Sequence, residues 1–513
     1  MFKKILIANR GEIAVRILRA CRELGMQSVS VFSEADRKSL HVRLADEAYT
    51  IGPAPSRESY LRIDKLMDVA RRAGCDALHP GYGFLAENAA LPRACSEAGI
   101  TFIGPPAEAM EALGSKTAGR QLARRVEVPT VPGTNDPTEK SEARALAQSM
   151  GYPVLLKAVA GGGGKGMRLV YSDAEIESAF RDAASEAMNA FGDERLYLEK
   201  YLERPRHIEI QILADAHGRV VSLGERECSI QRRHQKVIEE APSPAVTPEL
   251  RKKMSAAAVR LARAGGYVNA GTMEFLVDQK LNFYFLEVNT RLQVEHPVTE
   301  QVTGLDLVKL QIAIAAGHRL PFAWEAITPR GHAMEVRLYA EDPENNFFPS
   351  PGKILSCRTP GGPGIRMDEG VYEGWTVPND YDPLLGKLIA WGNSREETIA
   401  RLRRALDEYT ITGIRTNAGL FRRILTEPEF LRGEIHTRWL DELLRRPRAA
   451  AASSSSDSNR EGNPGRAHEA AAIAAAIWQA KQSAAQGAEA SSADENSSRW
   501  KMEGRRQLLD RMP

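Results

Sequence analysis

Two glutamates and an asparagine interrupt a pair of otherwise apolar predicted strands. Glu274 stands in the first strand, and Glu287 and Asn289 share one face of the second. The turn at residues 278–281 predicts a hairpin in which the two carboxylates meet. Residues 283–286 and Val288 are apolar on both faces, so we expect this second strand to be buried, and an unpaired buried carboxylate is costly. Because carboxylate and amide oxygens suit Mg²⁺ carrying substrate phosphates, the pattern predicts a metal-nucleotide site.

A glycine run lies between two further predicted strands. The first strand, residues 152–157, ends in Lys157, and four adjacent glycines at 161–164 precede Lys165. Glycine lets backbone N–H groups approach an oxyanion closely, and a glycine loop can close over phosphates. No Ser or Thr follows Lys165, and a strand rather than a helix comes next, which excludes a Walker loop. The pattern favours a phosphate-covering hairpin over a plain flexible one.

A polar stripe and a basic run lie between the glycine run and the carboxylates. Residues 206–213 alternate, with His207, Glu209 and Gln211 on one face, which predicts a half-buried strand. Residues 229–236 form the basic run. A solvated basic face and an anion-binding loop are both compatible with it.

The first part of the chain has the pattern of a parallel α/β unit. A strand at residues 3–8 meets a glycine turn, and apolar residues then recur at helical spacing as far as Gly25. Further strands are predicted at 27–32, 75–78 and 100–103. The order predicts a doubly wound domain. GxGxxG is absent, which argues against a dinucleotide site.

Two more segments carry candidate residues. The loop at 79–85 is rich in glycine and aromatic residues and follows a strand, where α/β proteins commonly bind ligands, although it could be only a tight connection. In the predicted strand at 334–339, Arg337 faces the same side as Glu335 and Tyr339. By itself it would be an ordinary strand arginine.

Composition limits the class of protein. The 513 residues predict about three domains, and a net charge of +2 gives no general attraction to nucleic acid or to anionic membrane. The five cysteines are scattered without CxxC spacing, which argues against a disulfide framework and a zinc site. No apolar run approaches ~18 residues. We expect a soluble cytoplasmic protein.

The C-terminal part changes composition abruptly. Serine, alanine and polar residues predict a disordered linker, and the alanine-rich segment 469–482 has the narrow apolar stripe of a docking helix, with an inert tail as the alternative. The predicted division is an N-terminal α/β domain at 1–113, a nucleotide domain at 114–330 with a lid at about 131–203, an α+β domain at 331–445, and a tail at 446–513.

Four motifs together resemble a known family. They are Ile-Ala-Asn-Arg-Gly-Glu-Ile at 7–13, His-Pro-Gly-Tyr-Gly-Phe-Leu at 79–85, Arg-Arg-His-Gln-Lys at 232–236, and Glu-Val-Asn-Thr-Arg-Leu-Gln-Val-Glu-His-Pro at 287–297. With the glycine run, they resemble the ATP-grasp superfamily and, within it, the biotin carboxylase component of biotin-dependent carboxylases. The resemblance covers residues 1 to about 444. It implies a pre-ATP-grasp α/β domain, an ATP-grasp domain with a mobile glycine-rich lid, and a C-terminal α+β domain.

The resemblance implies a two-step reaction. Bicarbonate and ATP form carboxyphosphate, and the carboxyl group then passes to N1′ of biotin on a carrier protein. No Ala-Met-Lys-Met motif occurs, and Lys501 lies in a polar tail, so we expect a separate biotin carboxyl carrier protein. Carboxyltransferase subunits and a homodimer are further expectations. An acetyl-CoA carboxylase of fatty acid biosynthesis is one possible setting, and the final acceptor stays open between acetyl-CoA, propionyl-CoA and pyruvate.

The resemblance also implies residue roles. ATP would be held by Lys116, Lys157, Gly163, Gly164, Glu199, Lys200, Tyr201, Leu202, His207, Gln231 and His234, and Mg²⁺ or Mn²⁺ by Glu274, Glu287 and Asn289. Bicarbonate would be positioned by Lys236, Arg291, Gln293 and Val294. Glu295 would be the base, and Arg337 would stabilise the biotin enolate.

Two rival functions use the same residues differently. Another ATP-grasp ligase that forms an acyl phosphate would keep the nucleotide and metal residues, but residues 291–297 and Arg337 argue against it. A non-catalytic scaffold would keep the fold and recruit partners through its tail. The intact metal, base and phosphate residues argue against that. One small departure is Ala160, where some family members have glycine.

Overall fold

The computed structural model describes residues 1–134, 137–159, 166–321 and 328–446, and residues 1–445 form one compact unit. The predicted glycine loop, including Gly163 and Gly164, and the predicted docking helix at 469–482 lie outside the described residues. Within the described ranges, no helix is long and apolar enough to cross a membrane.

The N-terminal region is a parallel five-stranded sheet with helices between its strands. Its strands are β1 (Lys4–Ile7), β2 (Gln27–Ser33), β3 (Glu47–Gly52), β4 (Ala77–His79) and β5 (Thr101–Phe102), and its helices are α1 (Gly11–Glu23), α2 (Leu40–Leu44), α3 (Ile63–Arg72), α4 (Ala90–Glu97) and α5 (Ala107–Gly114). The strand order β3-β2-β1-β4-β5 confirms the predicted doubly wound unit. β1 and β4 are parallel neighbours, and the order in which strands are added to the sheet reverses between them, a position where such sheets form a ligand crevice.

A small three-stranded sheet follows. The elements in this part are α6 (Lys116–Arg125), α7 (Ala143–Met150), β6 (Val154–Ala158), β7 (Met167–Val170), α8 (Ile176–Phe191) and β8 (Leu196–Lys200). Both β7 and β8 pair antiparallel with β6. Leu156, Val170 and Leu198 pack with Phe180 of α8 in a separate small core. This is the strand, loop, strand order that the sequence predicts around the glycine run.

The remaining described elements build one large antiparallel sheet, three two-stranded sheets (β15-β16, β17-β20 and β18-β22) and the helices around them. The strands are β9 (Arg206–Ala214), β10 (Val220–Arg232), β11 (Gln235–Ala241), β12 (Asn269–Val277), β13 (Phe283–Asn289), β14 (His332–Tyr339), β15 (Glu341–Asp342), β16 (Phe348–Pro349), β17 (Gly352–Lys353), β18 (Ser356–Arg358), β19 (Ile365–Glu369), β20 (Thr376–Val377), β21 (Leu384–Gly392) and β22 (Thr410–Thr412). The helices are α9 (Pro248–Ala264), α10 (His296–Thr303), α11 (Leu307–Ala315), α12 (Arg395–Glu408), α13 (Ala418–Ile424), α14 (Pro428–Leu431) and α15 (Trp439–Arg445).

The large sheet runs without a break across residue 330. Its order is β13-β12-β9-β10-β11-β14-β21-β19, and β14 joins it through antiparallel pairing with β11. Glu239 lies opposite Glu335 in this pairing. The side chains of β9, β11, β12 and β14 are therefore held by one rigid framework.

Two strands differ from the expected burial. β9, predicted to be half-buried, is central between β10 and β12, and His207, Glu209 and Gln211 are all buried. β13, predicted to be buried, is the edge strand, and Glu287 and Asn289 are only partly covered. The alternation of polar and apolar residues along a strand does not show whether that strand lies at the centre or the edge of a sheet. This explains both errors.

Candidate active site

The predicted carboxylate hairpin is present at the edge of the large sheet. Glu274 of β12 lies directly opposite Glu287 of β13, and Asn289 lies opposite Thr272. The Asn289 amide Nδ2 donates to Glu274 Oε1 at 2.7 Å. Oxygen donors from neighbouring positions of two strands fit a hard cation such as Mg²⁺. The donor set therefore suits the predicted metal.

Lys236 joins the hairpin to the centre of the sheet. Its Nζ lies 2.6 Å from Glu209, 2.8 Å from Glu274 and 2.8 Å from Glu295. Burial would lower the pKa of Lys236, but the three carboxylates outweigh burial and hold the pKa well above its ordinary value. The ammonium is charged and fixed, as an anion-positioning group must be. Glu209 was not predicted as a site residue, although the polar stripe with His207 contained it.

Glu295 is shared between two cations. Its Oε1 accepts from Lys236 and its Oε2 accepts from Arg337 Nη2 at 2.9 Å. The side chain is fully buried. Burial would raise the pKa of Glu295, but Lys236, Arg337 and Arg226 outweigh burial and hold the pKa well below its usual range. The carboxyl group is therefore ionised and able to accept a proton.

Arg226 is a buried cation that the sequence analysis missed. It is fully buried and pairs with Glu209 through Nε. Its other nitrogens donate to Gln211 at 2.7 Å, Thr299 at 2.9 Å and Thr272 at 3.0 Å. A fully satisfied guanidinium offsets the cost of burying Glu209 beside Glu295. No sequence pattern around Arg226 in β10 marks it as a site residue.

His207 and Gln231 lie beside Glu274. The His207 Nε2 atom is 3.0 Å from Glu274 Oε2, and the Gln231 amide lies 3.0 Å from His207 Nδ1. His207, Glu209 and Glu274 offer ligand atoms close enough together for a metal ion. Lys236 already lies between two of those carboxylates, so a cation at that point would have to displace the ammonium.

Arg291 and Gln293 complete the predicted anion-binding group. Arg291 donates to Asn289 Oδ1 at 3.2 Å and to Gln293 Oε1 at 3.1 Å, and Gln293 donates to Glu274 Oε1 at 3.3 Å. Arg291 Nε also pairs at 3.0 Å with Glu87, a residue that the sequence analysis missed. Glu87 follows the loop at 79–85, so its nearness to that motif was the available signal.

Several predicted adenine and phosphate residues lie on β6 and on or just after β8. Lys157 Nζ pairs with buried Glu199 at 2.6 Å. Lys200 donates instead to backbone carbonyls of residues 151 and 152, and Tyr201 accepts from Arg438 at 3.2 Å. Leu202 is half-buried at the end of the same segment.

Four further predicted nucleotide residues are His234, Lys116, Gly163 and Gly164. His234 is exposed at a turn with a positive φ of 68°. The structure describes the backbone of Lys116 at the start of α6 but not its side chain, and Gly163 and Gly164 lie outside the described residues.

A cavity of about 500 Å³ opens beside Arg337, which is one of its lining residues. It is lined by side chains from several motifs, among them Asn9, Tyr82, Phe84, Arg291, Val294 and Tyr381. Asn9 donates to the backbone carbonyls of Pro80 and Tyr82 at 2.7 Å, which ties the 79–85 loop to the end of β1. That loop is therefore both a tight connection and a cavity wall.

The arrangement supports a defined chemistry. An ionised buried carboxylate lies between a lysine and an arginine, next to an oxygen-rich hairpin on one side and a cavity on the other. This geometry suits a base that activates a small acid for attack on a metal-bound phosphate. The fold and this site define an ATP-grasp ligase.

Comparison with known proteins identifies the family. Residues 1–110 match the model for the biotin carboxylase N-terminal domain, 115–323 match the carbamoyl-phosphate synthase L chain ATP binding domain, and 335–442 match the biotin carboxylase C-terminal domain. A biotin carboxylase of Halalkalibacterium halodurans is 54% identical over 87% of this chain and 98% of its own. A pyruvate carboxylase subunit of Methanothermobacter thermautotrophicus is 55% identical, with coverage of 87% of this chain and 91% of that one.

A solved structure agrees with these relatives. It is the biotin carboxylase domain dimer of Hydrogenobacter thermophilus 2-oxoglutarate carboxylase, in complex with MgADP, ADP and bicarbonate. The two chains are 48% identical with a TM-score of 0.82, over 86% of this chain and 98% of that one. The chain belongs to the biotin carboxylase family, and it is an ATP-dependent ligase that carboxylates biotin. The predicted family and multidomain fold are confirmed, and the rival ligase and scaffold functions are not supported.

Proposed function

We propose that the two half-steps of biotin carboxylation take place on opposite sides of Glu295. Bicarbonate binds on the Lys236 side, next to the carboxylate hairpin, and biotin binds on the Arg337 side, in the cavity. The observation that carries this proposal is the division of the Glu295 oxygens, one facing each cation. A single residue thereby connects activation of bicarbonate to the acceptor.

Bicarbonate activation needs a base and cationic orientation. Lys236, Arg291 and Gln293 present donors around Glu274 and Glu295, and Val294 joins Gln293 to Glu295 in the chain. Bicarbonate is a weak nucleophile, so Glu295 removes its proton while these donors hold the resulting dianion. An anion that draws Lys236 away from Glu295 raises the basicity of that carboxylate as the substrate arrives.

In this proposal, ATP binds between the large sheet and the three-stranded sheet β7-β6-β8, which we call the lid sheet. Lys157 and Lys116 contact phosphates, the segment 199–202 contacts the adenine, and His207, Gln231 and His234 contact the nucleotide from the large sheet. Glu274, Glu287 and Asn289 hold Mg²⁺ or Mn²⁺, which neutralises phosphoryl charge during transfer. Gly163 and Gly164 belong to the loop that covers the phosphates.

The cavity beside Arg337 fits the ureido end of biotin. Loss of the ureido proton leaves negative charge on an enolate oxygen, and a buried guanidinium stabilises such charge strongly. We assign Arg337 this role. The biotin is presented by a separate biotin carboxyl carrier protein, and a carboxyltransferase then passes the carboxyl group to acetyl-CoA, another acyl-CoA or pyruvate.

The remaining assignments concern organisation in the cell. We assign residues 1–113, 114–330 and 331–445 to three functional domains, with 131–203 as the lid and 446–513 as a partner-docking tail. The matched family models begin and end near these boundaries, which supports the division. A cytoplasmic homodimer is the proposed working form, and the dimeric solved relative supports the oligomeric state.

A substrate-omission assay tests the proposed function. The purified chain is given ATP, Mg²⁺, bicarbonate and free biotin, and ADP release is measured with each component withheld in turn. We expect turnover to need bicarbonate and the metal, and to rise when biotin is present. A folded chain that binds ATP but shows no bicarbonate-dependent turnover contradicts the proposal.

A further inference from the structure

Two glutamates face each other below Arg337 in the middle of the large sheet. Glu239 of β11 and Glu335 of β14 are directly opposite in the antiparallel register, and neither side chain has any exposed surface. Residues opposite each other have Cβ atoms about 4.5 to 5.5 Å apart. Two ionised carboxylates at that distance and depth repel each other strongly.

Only one of the four oxygens in this pair has a described donor. Arg337 Nε donates to Glu239 Oε1 at 2.7 Å. Glu239 Oε2 and both oxygens of Glu335 have no hydrogen-bond partner among the described residues. A buried carboxylate without donors is costly, whereas a carboxylic acid needs only one acceptor. The Oε2 atom of Glu239 is such an acceptor.

The neighbouring cations are already engaged. Lys387 of β21 donates to the Val294 carbonyl at 2.8 Å and pairs with Glu12 at 3.1 Å. Arg337 is shared between Glu239 and Glu295. His296, at the start of α10, adds no cation, because burial lowers its pKa well below the ordinary value, and its Nδ1 lies 2.8 Å from the Gln293 carbonyl.

The buried cluster around these groups contains more carboxylates than cations. The acidic groups are Glu12, Glu209, Glu239, Glu274, Glu295, Glu335 and Asp368, and the cationic groups are Arg226, Lys236, Arg291, Arg337, Arg366 and Lys387. The Tyr82 hydroxyl also bonds to Glu12. An excess of buried negative charge is relieved most simply by a bound proton.

The titration behaviour of the pair agrees with the geometry. Burial raises the pKa of Glu335 well above its ordinary value, with Glu239 adding to the effect and Lys387 opposing it. Burial also raises the pKa of Glu239, but Arg337 opposes that increase. The proton is therefore favoured on Glu335, whose oxygens, unlike Glu239 Oε1, accept no hydrogen bond from a guanidinium among the described residues.

We propose that Glu335 is a positioning residue that keeps a proton in the working enzyme and donates a hydrogen bond through it to Glu239. This fixes the Glu239 carboxylate as the acceptor for Arg337. The inference rests on the proposed role of Arg337 at the biotin enolate. The neutral acid removes repulsion across β11 and β14, so Glu239 keeps one oxygen for Arg337. Arg337 is then held with its other nitrogen at Glu295.

A matched pair of isosteric variants tests the assignment. Glu335→Gln keeps a neutral donor towards Glu239, so we expect biotin-dependent kcat/KM at pH 7.5 to stay within about threefold of the parent. Glu239→Gln removes the anion that binds Arg337, and we expect a loss of about tenfold or more, the scale of one charge-assisted hydrogen bond. The reverse order of effects overturns the proposal.

A pH profile separates positioning from a merely structural role. Activity of the parent should fall at alkaline pH, because loss of the shared proton makes Glu335 and Glu239 repel each other and shifts the carboxylate that positions Arg337, while the Glu335→Gln variant should keep its activity at higher pH. An identical alkaline limb in parent and variant contradicts the proposal.

Infrared difference spectroscopy gives a readout that does not depend on turnover. The parent at neutral pH should show a carboxylic acid C=O band that is missing from Glu335→Gln, and its absence from the parent overturns the inference. Failure of the proposed function is distinguishable, because it would abolish biotin-dependent turnover in the parent without removing this band.

Discussion

The site is organised around one carboxylate held ionised by opposed cations. Glu295 is buried, yet Lys236 and Arg337 keep its pKa well below the usual range. A carboxylate so strongly stabilised is a weak base while both cations stay in place. Bicarbonate competes for Lys236, so substrate binding and activation of the base are the same event in this account.

Glu287 provides a residue-scale test of the metal site. Replacement by Gln removes one anionic oxygen from the hairpin opposite Glu274, so Mg²⁺-dependent binding of ATP should weaken by about tenfold or more. The measurement is an ATP titration at several Mg²⁺ concentrations. Glu97→Gln, an exposed change on α4, is the control. An unchanged Mg²⁺ dependence in Glu287→Gln would remove this residue from the metal site.

The lowered pKa of Glu295 also predicts how stability depends on pH. A group whose pKa is lower in the folded state stabilises the fold above its unfolded pKa of about 4.3, and this contribution is lost as pH falls towards the folded pKa. The free energy of unfolding should therefore decrease between about pH 5 and pH 3, and less steeply in Glu295→Gln. Urea unfolding at each pH measures both slopes. Equal slopes would show that Glu295 is not held ionised.

At the scale of elements, the three-stranded sheet β7-β6-β8, the proposed lid, has its own small core. Leu156 of β6 is fully buried there. Leu156→Ala should lower the free energy of unfolding by about 2 to 5 kcal/mol. Because the space left by the truncated side chain lies in this small core, the loss of stability should appear as local opening of the three-stranded sheet. We expect faster amide exchange in β6, β7 and β8, and a higher KM for ATP.

The matched control for the lid is Met188→Ala. Met188 lies on α8, and 46% of its surface is exposed, so its truncation should leave both amide exchange and KM nearly unchanged. Faster exchange spread equally through the N-terminal sheet of the Leu156→Ala variant would contradict an independent lid core.

Local patterns predicted the elements better than their surroundings. Glycine turns and apolar spacing located β1, α1 and the carboxylate hairpin, because each depends on neighbours in the chain. Strand position within the sheet depends on partners far away, so β9 was expected to be too exposed and β13 too buried. Arg226, Glu239 and Glu87 were missed as site residues for the same reason, since each contacts the site through distant strands or loops.

At the scale of the whole molecule, the continuous sheet makes the parts of the chain interdependent. A chain ending at residue 330 lacks β14, which leaves β11 unpaired on one edge and removes Arg337. Because an exposed long strand edge promotes aggregation, we expect this truncated chain to be insoluble or unfolded. Size-exclusion chromatography and circular dichroism measure the outcome.

A chain ending at residue 446 is the control for that truncation. It keeps the compact unit at 1–445, so it should stay folded and carboxylate free biotin at a rate close to that of the full chain. A folded, active chain of 330 residues would contradict the account, and so would loss of free-biotin activity on removal of residues 447–513.

The most direct test of the central claim is a comparison of turnover with ATP binding in Glu295→Gln. The amide keeps the shape of the side chain but cannot take the bicarbonate proton. Bicarbonate-dependent ADP release should fall by about 100-fold or more, while the Kd for MgATP changes by less than about threefold. Retained turnover, or an equal loss of ATP binding, would show that Glu295 is not the base that joins the two halves of the site.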